Sequence, residues 1–216
     1  MNGAGKMSKV KLCGMMHLQD IDAANLARPD YVGFVLAKSR RQITKEQAKE
    51  FRKRLDPLIV SVGVFVNEEI ETVADYIKEE IISVVQLHGQ ENSDYIKELK
   101  GFANVPVIKA ISVKEDFISQ VKEHEALLRL SYIDFLLFDQ GAGGTGQTFD
   151  WRMLDQVQSP YFLAGGLNET NLEQALVSTK PYAYDLSSGI ETNGIKDAKK
   201  MITVVRRIRE YEGRNK

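Results

Sequence analysis

The sequence predicts a single α/β domain, a (β/α)8 TIM barrel, and three observations predict it. Short apolar, β-branched segments recur at intervals of about 20–30 residues, the pattern of buried strands. Amphipathic helical segments fill the intervals, so the strands repeat as βα units. Eight such units fit into about 200 residues, the lower size limit of the barrel class. Nothing between the units resembles an interdomain linker. The barrel is therefore expected over residues 9–212, behind a disordered leader of residues 1–8. Local periodicity does not establish closure, which leaves an open doubly wound sheet as the alternative.

Taken in order, the strands fall at 10–13, 31–35, 59–66, 84–88, 105–111, 134–139, 161–164 and 182–186. Thr44 and Gln47 form a capping-box pattern, with Ala48 and Phe51 following on one face. Asn67 is placed to cap the next helix, where Glu68 and Glu69 suit the dipole and Ile70, Val73, Ala74 and Ile77 form the apolar stripe. The stretch 117–128 repeats that periodicity, with His124 on or near its stripe and read as packing. Ala198, Met201, Ile202 and Val205 form the stripe of the last helix.

A net charge of -1 carries no electrostatic signature for nucleic acid or an anionic membrane. The lone cysteine, Cys13, excludes an internal disulfide and Cys-pair zinc motifs. No apolar run is long enough to cross a bilayer, and no signal core follows Lys6 and Lys9. A cytoplasmic protein without metal, membrane or nucleic-acid partner is expected. One cationic spot, Lys38-Ser39-Arg40-Arg41, stands out.

Barrels place their chemistry at the C-terminal strand ends and the loops that follow. Those positions hold Cys13, the loop after Leu36, His88, Asp139, Ala164-Gly165-Gly166 and residues 185–189. Gly165 and Gly166 after strand seven, with Ser187, Ser188 and Gly189 after strand eight, are phosphate-binding candidates. Glycines let backbone N–H groups approach an oxyanion, and hydroxyls add donors. Gly141-Ala142-Gly143-Gly144-Thr145-Gly146 matches G-x-G-x-x-G, but only two strand candidates follow it, which is wrong for a nicotinamide enzyme. It is read as a mobile loop over the site, with Gly144 near the phosphate. Asp139 ends the apolar run Phe135-Leu136-Leu137-Phe138, so its carboxyl should be partly desolvated, an environment suited to a general acid. Cys13 alone is weak evidence, because a free cysteine is usually a small buried hydrophobe. His88 serves either as a substrate contact or in orienting loops, and Asp185 is a substrate-binding candidate.

Six segments form an ordered series: Lys11-Leu12-Cys13-Gly14, Gly63-Val64-Phe65-Val66-Asn67, Gln86-Leu87-His88-Gly89 and Gly143-Gly144-Thr145-Gly146-Gln147-Thr148-Phe149-Asp150-Trp151, then Ala164-Gly165-Gly166-Leu167 and Asp185-Leu186-Ser187-Ser188-Gly189-Ile190-Glu191. Together they resemble the phosphoribosylanthranilate isomerase family. The resemblance implies a cofactor-free Amadori rearrangement of a small phosphosugar substrate, with Asp139 as acid and Cys13, as thiolate, as base. It implies that Arg41 meets the anthranilate carboxylate, since Ser39-Arg40-Arg41 is similar to the family's S-P-R with Arg40 in place of proline. By that register Arg40 should point mainly to solvent. The link 140–142 is also short, and Arg28-Pro29-Asp30 departs from the usual G-A-D. A monomer is expected, with a homodimer as the alternative.

Two rivals are weighed. The sister isomerase of histidine biosynthesis would repeat its phosphate loop after strand three and end strand one in aspartate, and neither holds here. A non-catalytic phosphosugar-binding barrel would not need both Cys13 and Asp139.

Overall fold

Strand alternation and closure decide where every functional side chain can point. The computed structural model describes residues 7–114, 117–140 and 149–214. Eight parallel strands close in chain order. They are β1 (Lys9–Cys13), β2 (Tyr31–Val35), β3 (Val60–Phe65), β4 (Val84–Leu87), β5 (Val107–Ser112), β6 (Phe135–Asp139), β7 (Tyr161–Leu163) and β8 (Ala183–Leu186). β8 returns to pair with β1, with Lys11 opposite Asp185, so the sheet is a barrel and the open doubly wound alternative falls.

The helices are α1 (Leu18–Ala27), α2 (Lys45–Arg54), α3 (Ile70–Lys78), α4 (Ser93–Phe102), α5 (Phe117–Arg129), α6 (Leu172–Ser178) and α7 (Ala198–Arg214). Between β6 and β7 the described residues form only a 3-10 helix, Trp151–Gln156, which Asp150 caps by accepting from the Arg152 N–H. A short antiparallel pair, β9 (Glu191–Thr192) and β10 (Ile195–Lys196), follows β8 and has no counterpart among the expected strands.

The capping box of α2 forms as expected. Thr44 Oγ1 accepts from the Gln47 N–H at 3.2 Å, and Gln47 Oε1 accepts from the Thr44 N–H at 2.8 Å. Such a cap stabilises by about 1 kcal/mol. Asn67 does not cap α3. It adopts a left-handed φ of 50°, which asparagine tolerates, and its Oδ1 accepts from the Gln90 N–H at 2.6 Å. The residue ties the loop after β3 to the loop after β4, and Glu69 takes the N-cap position without a side-chain bond. In α7 the buried stripe is Met201, Val204, Val205 and Ile208. Ala198 is exposed at the helix start and Ile202 faces outward at 40% exposure, so the true face is rotated from the expected one. His124 is buried, with Nδ1 2.8 Å from the Gln120 carbonyl, in keeping with packing.

Alternate strand residues build two apolar layers. Val10, Leu12, Val32, Phe34, Leu136 and Phe138 face the helices. Val62, Val84, Ile108, Leu137, Phe162 and Ala183 fill the barrel. Tyr31, Phe135, Phe162 and Tyr182 form its floor; the Phe135 and Tyr182 rings stack at 4.2 Å, and the hydroxyls of Tyr31 and Tyr182 lie 2.9 Å apart. Ser8, expected in the leader, is buried, and its hydroxyl donates to the Pro181 carbonyl at 3.0 Å. Residues 1–6 of that leader lie outside the described residues.

Candidate active site

The inward parity that fills the barrel with aliphatic side chains carries different residues at its C-terminal end. On β1 the inward positions are Lys11 and Cys13, on β4 Gln86 and then His88, on β6 Asp139, and on β8 Asp185. One barrel mouth thus gathers Cys13, His88, Asp139 and Asp185 as the sequence suggested, together with Lys11 and Gln86, which it did not single out. The signal for Lys11 was available: a charged residue inside a buried strand, two positions before the cysteine.

Lys11 is fully buried and donates to Asp185 Oδ2 at 2.8 Å. Asp185, expected to touch substrate, is therefore engaged beneath the mouth by its neighbour across the β1–β8 seam. Burial alone would lower the Lys11 pKa, but Asp185 and Cys13 outweigh it and raise the ammonium above its ordinary range. Burial pushes the Cys13 thiol up, against the pull of Lys11, so the resting group at neutral pH is the thiol. His88 is held below its ordinary value by burial, which Asp139 opposes, and the imidazole is neutral at pH 7. Its Nδ1 meets Gln86 Nε2 at 2.9 Å and its Nε2 faces Asp139 Oδ2 at 3.7 Å. His88 therefore stands beside the candidate acid. Asp139 Oδ1 accepts from the Gln140 N–H at 2.6 Å. On the β4–β6 side, a cavity of about 570 Å³ opens between His88, Lys109, Ser112, Lys114, His124 and Asp139.

Arg41 is 8% exposed and lies over the backbone just after Cys13: a Cβ on Gly14 would sit 2.5 Å from Arg41 Cδ. Glu191 fixes its guanidinium, accepting from Nε at 2.7 Å and from Nη2 at 3.2 Å. The same carboxylate accepts from Lys196 Nζ at 2.9 Å and from Arg40 Nη2 at 2.8 Å. Arg40, expected to point mainly to solvent, is half exposed yet tethered, because Glu191 offers enough lone pairs for both arginines. Burial would raise the Glu191 pKa, but hydrogen bonds from Arg41 and Lys196 hold it down at about 2. Burial lowers Lys196, against its bond to Glu191.

The loops after β7 and β8 come together. Gly165 and Gly166 have φ of +83° and +67°, and a bridge joins Asn168 to Gly189. A Cβ on Gly189 would lie 1.8 Å from the Leu167 carbonyl oxygen, so only glycine permits this approach. The side-chain amides of Asn168 and Asn171 both donate to the Gly166 carbonyl at 2.9 Å, holding the loop in shape. The segment after Gly166 does not open a helix at once: α6 starts at Leu172, and Asn168 builds a turn first by accepting from the Thr170 N–H. Ser187, expected to meet a phosphate, donates its hydroxyl to the Cys13 carbonyl at 3.0 Å. Ser188 stays half-buried beside Gly189. Gly144 and its glycine-rich motif lie outside the described residues.

Among the described residues no group of His, Cys, Asp or Glu is arranged to hold a metal, and no helix is long and apolar enough to cross a membrane.

The geometry agrees with what related proteins show. Residues 10–207 match the family described as N-(5'-phosphoribosyl)anthranilate (PRA) isomerase. The N-(5'-phosphoribosyl)anthranilate isomerase of Endomicrobium trichonymphae is 42% identical over 94% of this chain and 99% of its own. That of Thermoanaerobacter sp. (strain X514) is 44% identical over 94% and 98%. The phosphoribosyl anthranilate isomerase structure from Thermotoga maritima superposes with a TM-score of 0.81 at 32% identity, covering 94% of this chain and all of that one. With strand order, inward residues and full-length similarity in agreement, the chain belongs to the N-(5'-phosphoribosyl)anthranilate isomerase family.

Proposed function

We propose that the chain performs the rearrangement for which its family is named, on N-(5'-phosphoribosyl)anthranilate, with Asp139 as general acid and Cys13 as general base. The observation that carries these roles is the order of four adjacent barrel positions: acid on β6, glycine loops after β7 and β8, and thiol on β1. A sugar phosphate seated on the two loops would lie between the two reacting groups. Asp139 would give its proton to the furanose oxygen, opening the ring to a protonated Schiff base. Cys13, in its thiolate form, would take the C2' proton, the C2'–H electron pair passing to the substrate nitrogen, and the resulting enolamine would tautomerise to the ketone. The nitrogen serves as electron sink, so the step asks for no further group. Neutral His88 would steady Asp139.

Glu191 occupies Nε and Nη2 of Arg41 and leaves Nη1 without a partner among the described residues. That edge suits the anthranilate carboxylate. The phosphate would meet backbone N–H groups around Gly165, Gly166, Ser188 and Gly189. A solved phosphoribosyl anthranilate isomerase in complex with reduced 1-(o-carboxyphenylamino)-1-deoxyribulose 5-phosphate supports a ligand of this class. All the groups named come from one barrel, consistent with a monomeric enzyme, which we place in the cytoplasm.

The test follows anthranilate fluorescence with freshly made phosphoribosylanthranilate. Loss of substrate signal faster than spontaneous hydrolysis, with formation of the ketose, is expected. Tight binding without turnover would favour a silent phosphosugar-binding barrel instead.

A further inference from the structure

Lys11 takes no part in the reaction as written, yet it is a fully buried charge in the mouth. A buried ion pair is a weak source of stability, because desolvation offsets most of the attraction. The Lys11–Asp185 pair is also incomplete as a structural device: Asp185 Oδ1 is buried with no hydrogen-bond partner among the described residues. Strand alternation puts Lys11 and Cys13 two residues apart on the same inward face of β1, and the ammonium bonds Asp185 while its charge favours a thiolate at Cys13.

We propose that Lys11 acts through Cys13, as the counter-charge that makes a thiolate accessible in this buried mouth, while Asp185 sets how much of that charge the sulfur feels. The role deepens the assignment of Cys13 as base and rests on it. Lys11 is thus a positioning residue and touches no substrate.

The charges around the sulfur can be named from each element. Lys11 lies on its own strand, Asp185 on β8 and Lys196 on β10. Arg41 crosses Gly14 with its charge held on Glu191. Farther round the mouth stand neutral His88 after β4 and Asp139 on β6. Lys109 on β5 is committed to Glu91 Oε2 and the Gly89 carbonyl, each at 2.7 Å. Burial drives the thiol up; Lys11 is the largest opposing influence, Asp185 works against it, and Lys196 assists. Removing Lys11 should move the thiol farther up. Neutralising Asp185 should move it down. Opposite signs from the two members of one pair distinguish an electrostatic role from loosened packing.

The experiment measures the rate of Cys13 alkylation by iodoacetamide across about pH 6 to 10, on the full chain, by mass spectrometry. Cys13 is the only cysteine, so the signal has one source. Below the midpoint, one pH unit of displacement is about a tenfold change in rate. Lys11→Met is expected to slow alkylation near neutral pH by about tenfold or more, with the ascending limb of kcat moving to higher pH. Asp185→Asn is expected to speed alkylation several-fold, and Lys11→Arg to stay near the wild type. Because Lys11→Met strands a buried carboxylate and can fail to fold, Lys11→Met/Asp185→Asn provides a neutral replacement, expected to alkylate more slowly than the wild type but faster than Lys11→Met. Unchanged midpoints in the double variant, or single variants that both shift the same way, would overturn the proposal. If Cys13→Ala keeps normal turnover, the base assignment fails, while the alkylation profiles still decide whether Lys11 and Asp185 govern the thiol.

Discussion

At the N-terminal end of the barrel the inward side chains are Tyr31, Phe135, Phe162 and Tyr182, rings packed against rings. At the other end they are Lys11, Cys13, Gln86, Asp139 and Asp185. Phe135 and Asp139 are four residues apart on one strand, so both ends share the same backbone and the same parity. The floor meets its polar needs internally, through the Tyr31–Tyr182 hydroxyl contact. The rim does not: Gln86 Oε1, Ser112 Oγ and Asp185 Oδ1 are buried without partners among the described residues. Buried polar atoms left in that state cost stability. The contrast teaches that the floor holds the barrel together, while the rim gives up stability to keep groups ready for a ligand.

The largest effect should come from the floor. Phe162→Ala is expected to lower unfolding free energy by about 3–5 kcal/mol, the usual range for emptying a buried phenylalanine site. Denaturant unfolding measures it, and kcat of the folded fraction should change little. A large fall in kcat would break the division between floor and rim. Next in size, Cys13→Ala and Asp139→Asn should each reduce kcat by about 100-fold or more, as for loss of a general base or acid. Their unfolding midpoints should stay near that of the parent. Full activity in Asp139→Asn would make His88 the next candidate acid.

Arg41→Ala should cost about 10–100-fold in kcat/KM through loss of a charged bond to the ligand carboxylate. An analogue without that carboxylate should erase the difference. Arg40→Ala should cost less, at most about fivefold, because its half-exposed pair contributes only about 0–1 kcal/mol. If Arg40→Ala is the worse variant, the two arginines have exchanged roles. The smallest effect concerns acid. Glu191 is depressed to about 2, so its contribution to stability is complete above the ordinary glutamate range and is lost as pH falls through about 2. Glu191→Gln should flatten that acid-side decline in an unfolding series. An unchanged slope would show that the three-cation cluster adds nothing to acid stability.

The strands were legible because β-branched runs with period two leave little choice, and observed and expected limits differ by no more than two residues. Cys13, His88 and Asp139 were legible for the same reason: each closes such a run. Asn67 was misread because a cap and a left-handed loop residue use the same side chain, and only the neighbouring loop decides between them. The β9–β10 pair was invisible, being two residues on each side, held largely by Glu191 and Lys196. Arg40 could not be placed because its partner lies 151 positions away. Ser187 and Asp185 were expected as ligand contacts, but their bonds to β1 could not be read from the sequence, because they cross a seam that exists only once the barrel closes.

That seam has a consequence for how the non-reacting end of a ligand could influence the reacting one. Ser187 donates its hydroxyl to the Cys13 carbonyl, and its own carbonyl accepts from Lys196 at 2.9 Å. The loop proposed to hold the phosphate and the strand that carries the thiol are therefore mechanically one piece. Binding energy gathered at the phosphate would be felt as placement of the sulfur, and would favour the transition state over the bound substrate. A substrate analogue lacking the phosphate should then turn over slowly even at saturation, as though the catalytic strand had lost its anchor.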